Sequence, residues 1–271
     1  CLQKISSQFE EFEFIFTDSE TLDITNKEEV NDFFWQNAPD FCINAAAYTA
    51  VDLAETEVEK AFLVNADGTE NLAEACAENN AQFIHVSTDY VFDGENNLAY
   101  TEEDFTNPLG VYGASKLAGD ELALEVNPCS VILRTSWVYS EFGKNFVKTM
   151  LNLFATKEEL NIVADQFGQP TNANDLAEAI MKIIKSEKIT PGIFNFSNLG
   201  RISWFDFAEK IAELSDAKIK LNAIETSQYP TPAKRPKNSV LDLDKISKTY
   251  GVQLKPWEES LEGCVQILQN N

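Results

Sequence analysis

One histidine, few cations and no long apolar run mark this sequence of 271 residues. Each scarcity excludes a class of chemistry. A lone His85 leaves a zinc centre short of its usual ligands and a Ser-His-Asp hydrolase without a base beside its nucleophile. Against 44 acidic side chains stand 21 basic ones, a formal charge of −23, so neither nucleic acid nor an anionic membrane surface is an expected partner. A phosphorylated substrate has to be met by local basic groups. No window approaches the roughly 18 uncharged apolar residues of a membrane span, and Cys1-Leu2-Gln3-Lys4-Ile5 lacks the regions of a secretory signal. The five cysteines, Cys1, Cys42, Cys76, Cys129 and Cys264, form no C-x-x-C pair and read as reduced cytoplasmic thiols. What is present is ample core material: 44% hydrophobic residues and 11% aromatics suffice for one large or two intimate domains.

The first half alternates strand-like and helix-like runs, the pattern of βαβ units and a doubly wound parallel sheet. Residues 2–8 read as the tail of a helix, and Phe12 to Phe16 as a strand with Asp18 at its carboxyl end. Thr25-Asn26-Lys27-Glu28 has capping-box spacing before a helix from about Asn26 to Asn37. A strand from Asp40 to Asn44, a long helix from about Thr56 to Glu78 and a strand over 82–87 follow. His85 lies inside that last apolar run and reads as a hydrogen-bonded core residue. The loop from Tyr90 to Gly110 is long enough to border a site. A helix over Val111–Val126, a strand over Ser130–Leu133 and a helix over Asn145–Ala155 complete the pattern. Beyond lie a helix at about 174–186, a strand over 193–196, a helix over 203–214 and two short terminal helices. Residues 1–145 read as a dinucleotide-binding domain, and 146–271 mainly as a smaller α/β substrate lobe with segments returning to the first domain.

The sharpest local signal is Tyr112-Gly113-Ala114-Ser115-Lys116. On a helix, residues four apart share a face, so an ammonium beside the phenol would favour the phenolate and draw its pKa from about 10 towards neutrality. Alone, such a pair is more often a solvated helix face. Thr88 follows the strand over 82–87, and in open α/β sheets ligands bind outside the carboxyl ends of strands. Thr88 and Tyr112 together could grip one carbonyl oxygen while a hydride reaches its carbon, although a threonine there is also an ordinary turn residue.

These residues resemble the extended short-chain dehydrogenases/reductases. Further motifs in that order are Asn44 to Asp52, Val86 to Gly94, Pro108 to Lys116, Arg134 to Tyr139, Asn145-Phe146-Val147, Asp165 to Thr171 and Arg235 to Ser239. They are similar to the members of that family that reduce dTDP-linked 4-keto sugars. The resemblance implies a Rossmann-like fold, NADPH or NADH as cofactor, a dTDP-sugar as substrate, and a homodimer as an allowed assembly. The implied reaction is reduction of the C4 keto group of dTDP-4-dehydro-β-L-rhamnose to dTDP-β-L-rhamnose. A sugar-nucleotide epimerase or dehydratase, or a catalytically silent regulatory subunit, is the alternative on the same fold.

By the same resemblance Thr88 orients the carbonyl, Tyr112 donates the proton, and Lys116 holds the nicotinamide ribose and tunes Tyr112. Asp18 matches the acid for the adenosine ribose, with a strand-end turn as the plainer alternative. Asp23, Ile24, Ala45, Ala46, Ala47 and Tyr48 match the cofactor lining, though alanines also suit tight helix–sheet packing. Val51, Tyr90 and Trp137 match sugar-facing positions, with core filling as the alternative for Trp137. Asn145 and Arg235 are implied near the diphosphate, where a guanidinium suits phosphate oxygens, against a surface salt bridge for Arg235. The family's Gly-x-x-Gly-x-x-Gly loop does not occur in the sequence, and about 15–20 residues carrying it and a first strand are expected upstream. Some relatives hold magnesium through a glutamate of the first helix; register puts Cys1 there, and a hard cation prefers oxygen, so no metal is expected.

Overall fold

The computed structural model describes residues 1–270. The chain runs through α1 (Leu2–Ile5), α2 (Lys27–Asn37), β1 (Phe41–Asn44), α3 (Val51–Ala54), α4 (Val58–Phe62), α5 (Gly68–Asn79), β2 (Gln82–Thr88) and α6 (Val111–Val126). It continues through β3 (Val131–Thr135), β4 (Val138–Tyr139), α7 (Phe146–Phe154), β5 (Glu159–Val163), β6 (Phe167–Gly168), β7 (Thr171–Asn172), α8 (Ala173–Ile184) and β8 (Gly192–Asn195). Last come β9 (Ile202–Ser203), α9 (Trp204–Leu214), β10 (Lys220–Ile224), α10 (Asp244–Tyr250) and α11 (Trp257–Asn270).

The main sheet has four parallel strands in the order β1-β2-β3-β8. Parallel strands buried on both faces need apolar residues of both parities, which Phe83-Ile84 and Val131-Ile132-Leu133 supply. Ile84, Val131 and Leu133 point to one layer with Ile5, Ile180 and Ile246 of α1, α8 and α10. Phe83 and Ile132 point to the other, with Phe34, Leu72 and Ala123 of α2, α5 and α6. The sheet is thus doubly wound, as its sequence pattern predicts. A second core lies around Val147, Phe207, Ile211 and Leu261, where α7, α9 and α11 pack beside the parallel pair β5–β10.

Several expectations need correction. The segment over 12–16 joins no ladder, because no described strand lies beside it; Phe12 and Phe14 instead pack their rings against the core beneath the sheet, and Phe12 meets Phe41 edge-on at 6.1 Å. Helix α2 is capped by Asn26, whose Oδ1 accepts from Glu28 and Glu29 N–H, while Thr25 turns its hydroxyl to Asp23. The long helix over 56–78 is α4, a π turn at Leu63–Asp67 and α5. Strand β8 is a segment of the second half that joins the main sheet, and the last helix, α11, is not short but spans 14 residues.

The loop before α6 is fastened from far along the chain. Tyr100 N–H donates to Val240 O at 2.7 Å, Asp242 N–H donates to Tyr100 O at 2.8 Å, and Asn238 Nδ2 reaches Asn96 O and Leu98 O.

Candidate active site

The carboxyl end of β2 and the start of α6 form one corner. Gly113 lets them meet: a Cβ there would fall 2.2 Å from Tyr90 O. Tyr112 consequently stands edge-on to Tyr90, ring centroids 5.6 Å apart, with its phenol against the Thr88 hydroxyl. Burial pushes the phenol up to about 12, and the Thr88 contact opposes this. Tyr112 is therefore an acid at neutral pH. Thr88 Oγ1 donates to Asp89 Oδ1 at 3.1 Å and accepts from Tyr90 N–H. Burial raises Asp89 to about 7, opposed by Ser239 and Thr88.

One turn along α6, Lys116 is sunk into the fold rather than set beside the phenol. Its Nζ donates to Val86 O at 2.8 Å and lies 3.0 Å from His85 Nε2. Burial lowers the ammonium to about 8. This departs from the expected tuning: Tyr112 is raised, not lowered, because burial is the leading influence and Lys116 Nζ is turned to His85 and Val86 O. Behind Lys116, Asp120 faces Arg134 at 3.3 Å, and burial pushes its carboxyl above the ordinary range.

His85 is fully buried and hydrogen-bonded, as its place in an apolar strand suggested. Asn65, in the π turn, had no sequence signal. Its Oδ1 accepts from Tyr48 N–H at 2.8 Å, and its Nδ2 donates to Tyr48 O and Ser115 Oγ. Such turns often sit at functional sites; this one ties the strand-end segment after β1 to α6. Asp120 is also missed by sequence reasoning, though its signal is there: it lies four residues beyond Lys116 on the same helical face.

The other predicted residues fall as follows. Ala45 and Ala46 are exposed and Ala47 and Tyr48 half-buried at the carboxyl end of β1, so they do not fill a helix–sheet contact. Asp18 closes a turn, its Oδ1 accepting from Glu20 and Thr21 N–H. Asp23 bonds Thr25, and Ile24 packs over Gly68. Val51 opens α3, half-buried. Trp137, with φ +46°, stacks on Trp204 at 3.5 Å, so one indole face is taken. Asn145 caps α7, its Oδ1 accepting from Lys148 N–H and its Nδ2 donating to Ser140 O and Phe142 O. Arg235 forms a two-pronged pair with Asp52 at 2.8 and 3.0 Å, linking α3 to the strap over 230–238.

The RmlD substrate binding domain matches over residues 2–270. The chain belongs to the dTDP-4-dehydrorhamnose reductase family. A dTDP-4-dehydrorhamnose reductase of Sinorhizobium fredii is 49% identical over 240 residues, 85% of this chain and 81% of the relative. The crystal structure of such a reductase from Clostridium acetobutylicum superposes with a TM-score of 0.94 at 42% identity, covering 98% of this chain and 95% of the other. That of a Bacillus anthracis reductase in complex with NADP gives 0.93 at 37% identity, covering 98% and 94%. Membership of this reductase family agrees with the Thr88, Tyr112 and Lys116 series at the sheet's carboxyl edge.

Proposed function

We propose that this chain reduces the C4 keto group of dTDP-4-dehydro-β-L-rhamnose to the alcohol of dTDP-β-L-rhamnose, using NADPH or NADH. The observation that carries this reading is the convergence of the Thr88 hydroxyl on a Tyr112 phenol that stays protonated at neutral pH. Carbonyl reduction consumes one proton, and a phenol is the form that can give it. The Thr88 hydroxyl, which donates to Asp89 Oδ1 in the free protein, would turn its one hydrogen to the keto oxygen and hold it at the phenol. Tyr112 then passes its proton to that oxygen as negative charge builds there. When bound, the reduced nicotinamide supplies the hydride.

The residues present suit the nicotinamide end of such a cofactor. Exposed Ala45 and Ala46 leave the end of β1 open to close approach, and Lys116 is buried one turn along α6 from Tyr112. The named Bacillus anthracis complex supports NADP. Tyr90, Val51 and Trp137 would face the sugar, and Asn145 and Arg235 the diphosphate; Arg235 has first to share its guanidinium with Asp52. Asp18 and Asp23-Ile24 would meet the adenosine end. The unpaired thiols Cys1, Cys42, Cys76, Cys129 and Cys264 suit a reducing compartment, the cytoplasm.

The test is loss of reduced-nicotinamide absorbance with the keto-sugar nucleotide and the purified protein. Turnover that needs both substrates and stops in Tyr112→Phe supports the reading. Intact cofactor binding without oxidation overturns it in favour of the epimerase or the silent subunit.

A further inference from the structure

His85 contacts neither the cleft nor solvent, yet the hydrogen bonds around it fix which of its nitrogens carries the proton. Ala46 N–H donates to Asn44 Oδ1 at 3.0 Å, so the amide nitrogen of Asn44 is the atom turned inward. That nitrogen donates to Thr69 Oγ1, whose own hydrogen goes to Asn65 O, and to His85 Nδ1 at 3.0 Å. Nδ1 is therefore an acceptor. Burial and the neighbouring Lys116 hold the ring well below its ordinary pKa, so the imidazole is neutral and its one proton is on Nε2.

Nε2–H faces two groups, Lys116 Nζ at 3.0 Å and Asp120 Oδ1 at 3.8 Å. Two donors cannot share one bond, so in this arrangement Lys116 offers its lone pair to His85 and a hydrogen to Val86 O: it is a free amine. Asp120 Oδ1 meanwhile is buried without a partner. The charged and titratable groups facing the lysine are His85 on β2 and Asp120 on its own helix; Arg134 on β3 stands behind Asp120, and Tyr112, one turn back on α6, lies by Thr88 and Asp89 instead.

We infer that His85 is a positioning residue acting through Lys116: its Nε2–H seats the lysine as a free amine, and on protonation Lys116 leaves that contact while Nε2–H turns to Asp120 Oδ1. The proton comes from solvent, and no bond other than N–H forms. On the proposed reductase reading, the ammonium released from this seat is the form that can hold a ribose hydroxyl and charge-stabilise the phenolate Tyr112 leaves behind.

A chain with one histidine makes the test direct. In protein labelled with ¹⁵N only in histidine, the ring is expected to show the Nε2–H form throughout, with the Nε2 resonance shifting as pH crosses about 8, where Lys116 titrates. An Nδ1–H ring, an imidazolium, or an Nε2 signal indifferent to that crossing overturns the inference. In ¹⁵N-lysine spectra, His85→Leu should move the Lys116 midpoint up by a unit or more, and His85→Gln, whose amide restores a donor, should bring it back. Equal midpoints in all three proteins also overturn it. None of these signals depends on turnover, so a failure of the reductase reading would be seen separately in the absorbance assay.

Discussion

The corner between β2 and α6 and the lobe around α9 are buried to similar depth by opposite means. In the lobe, Phe207 meets Tyr139, Phe146 and Trp257 ring against ring, and α9 opens on a reciprocal cap in which Ser203 and Asp206 satisfy each other's N–H groups. In the corner, Ser87 Oγ, Asp89 Oδ2, Asp120 Oδ1 and Arg134 Nη1 are buried without partners, where the lobe's aromatic cluster has Tyr139 Oη in that state. Unpaired buried polar atoms cost roughly 1–3 kcal/mol each. The corner holds groups ready to take up or give up protons at that cost, and the lobe supplies stability without taking part.

The largest effect that would sharpen this contrast is Tyr112→Phe, which should lower turnover by about 10²- to 10⁴-fold with an unchanged urea midpoint. A fall in stability of similar weight would erase the distinction. Next, Phe207→Ala should cost about 3–5 kcal/mol in urea unfolding and leave the Michaelis constants of the folded fraction alone. Asp120→Ala should cost a comparable amount, because Arg134 is left buried and uncompensated. Replacing both by leucine should recover much of that loss but not the activity, an outcome that separates charge pairing from packing.

The legible and illegible parts of the sequence divide along the same line. Helix α6 lies where its pattern put it, Val111–Val126, although its buried face is made of Gly113, Ser115, Lys116, Gly119, Asp120 and Ala123. The four-stranded sheet was readable from runs such as Val131-Ile132-Leu133, and Tyr112 and Thr88 meet as their positions suggested. The direction of Lys116 was not readable, because i, i+4 spacing sets a face and not where a long side chain ends. Nor was the π turn at Asn65, whose cause is the tertiary contact to Tyr48 and Ser115. Residues 12–16 alternate like a strand, but a strand also needs a neighbour, and alternation says nothing about that. Trp137 was read for a sugar; its partner Trp204 lies too far along the chain for any local pattern to announce.

A pH series compares the regions more gently. Asp89 keeps its proton to about 7 in the folded protein, against 3.8 when unfolded. The folded state thus binds the extra proton between those values, and stability should fall as pH rises from 3.8 to about 7. Asp120 is shifted in the same direction. Unfolding by urea at several pH values should show the slope, and Asp89→Asn should flatten it; an unaltered slope would place the proton elsewhere. The smallest effect belongs to the lobe: Ser203→Ala should cost about 1 kcal/mol, equally at every pH, by thermal or urea unfolding.

The fastening of the loop before α6 has a meaning for the order in which the molecule is made. Asn96 and Leu98 wait for Asn238, a partner 140 or more residues later in the chain. Chains emerge from the ribosome at about 5–20 residues per second, so for several seconds a nascent chain can hold β1, β2 and α6 while its loop has nothing to close upon. The corner can form early; the cleft it serves is finished only when the last forty or so residues arrive.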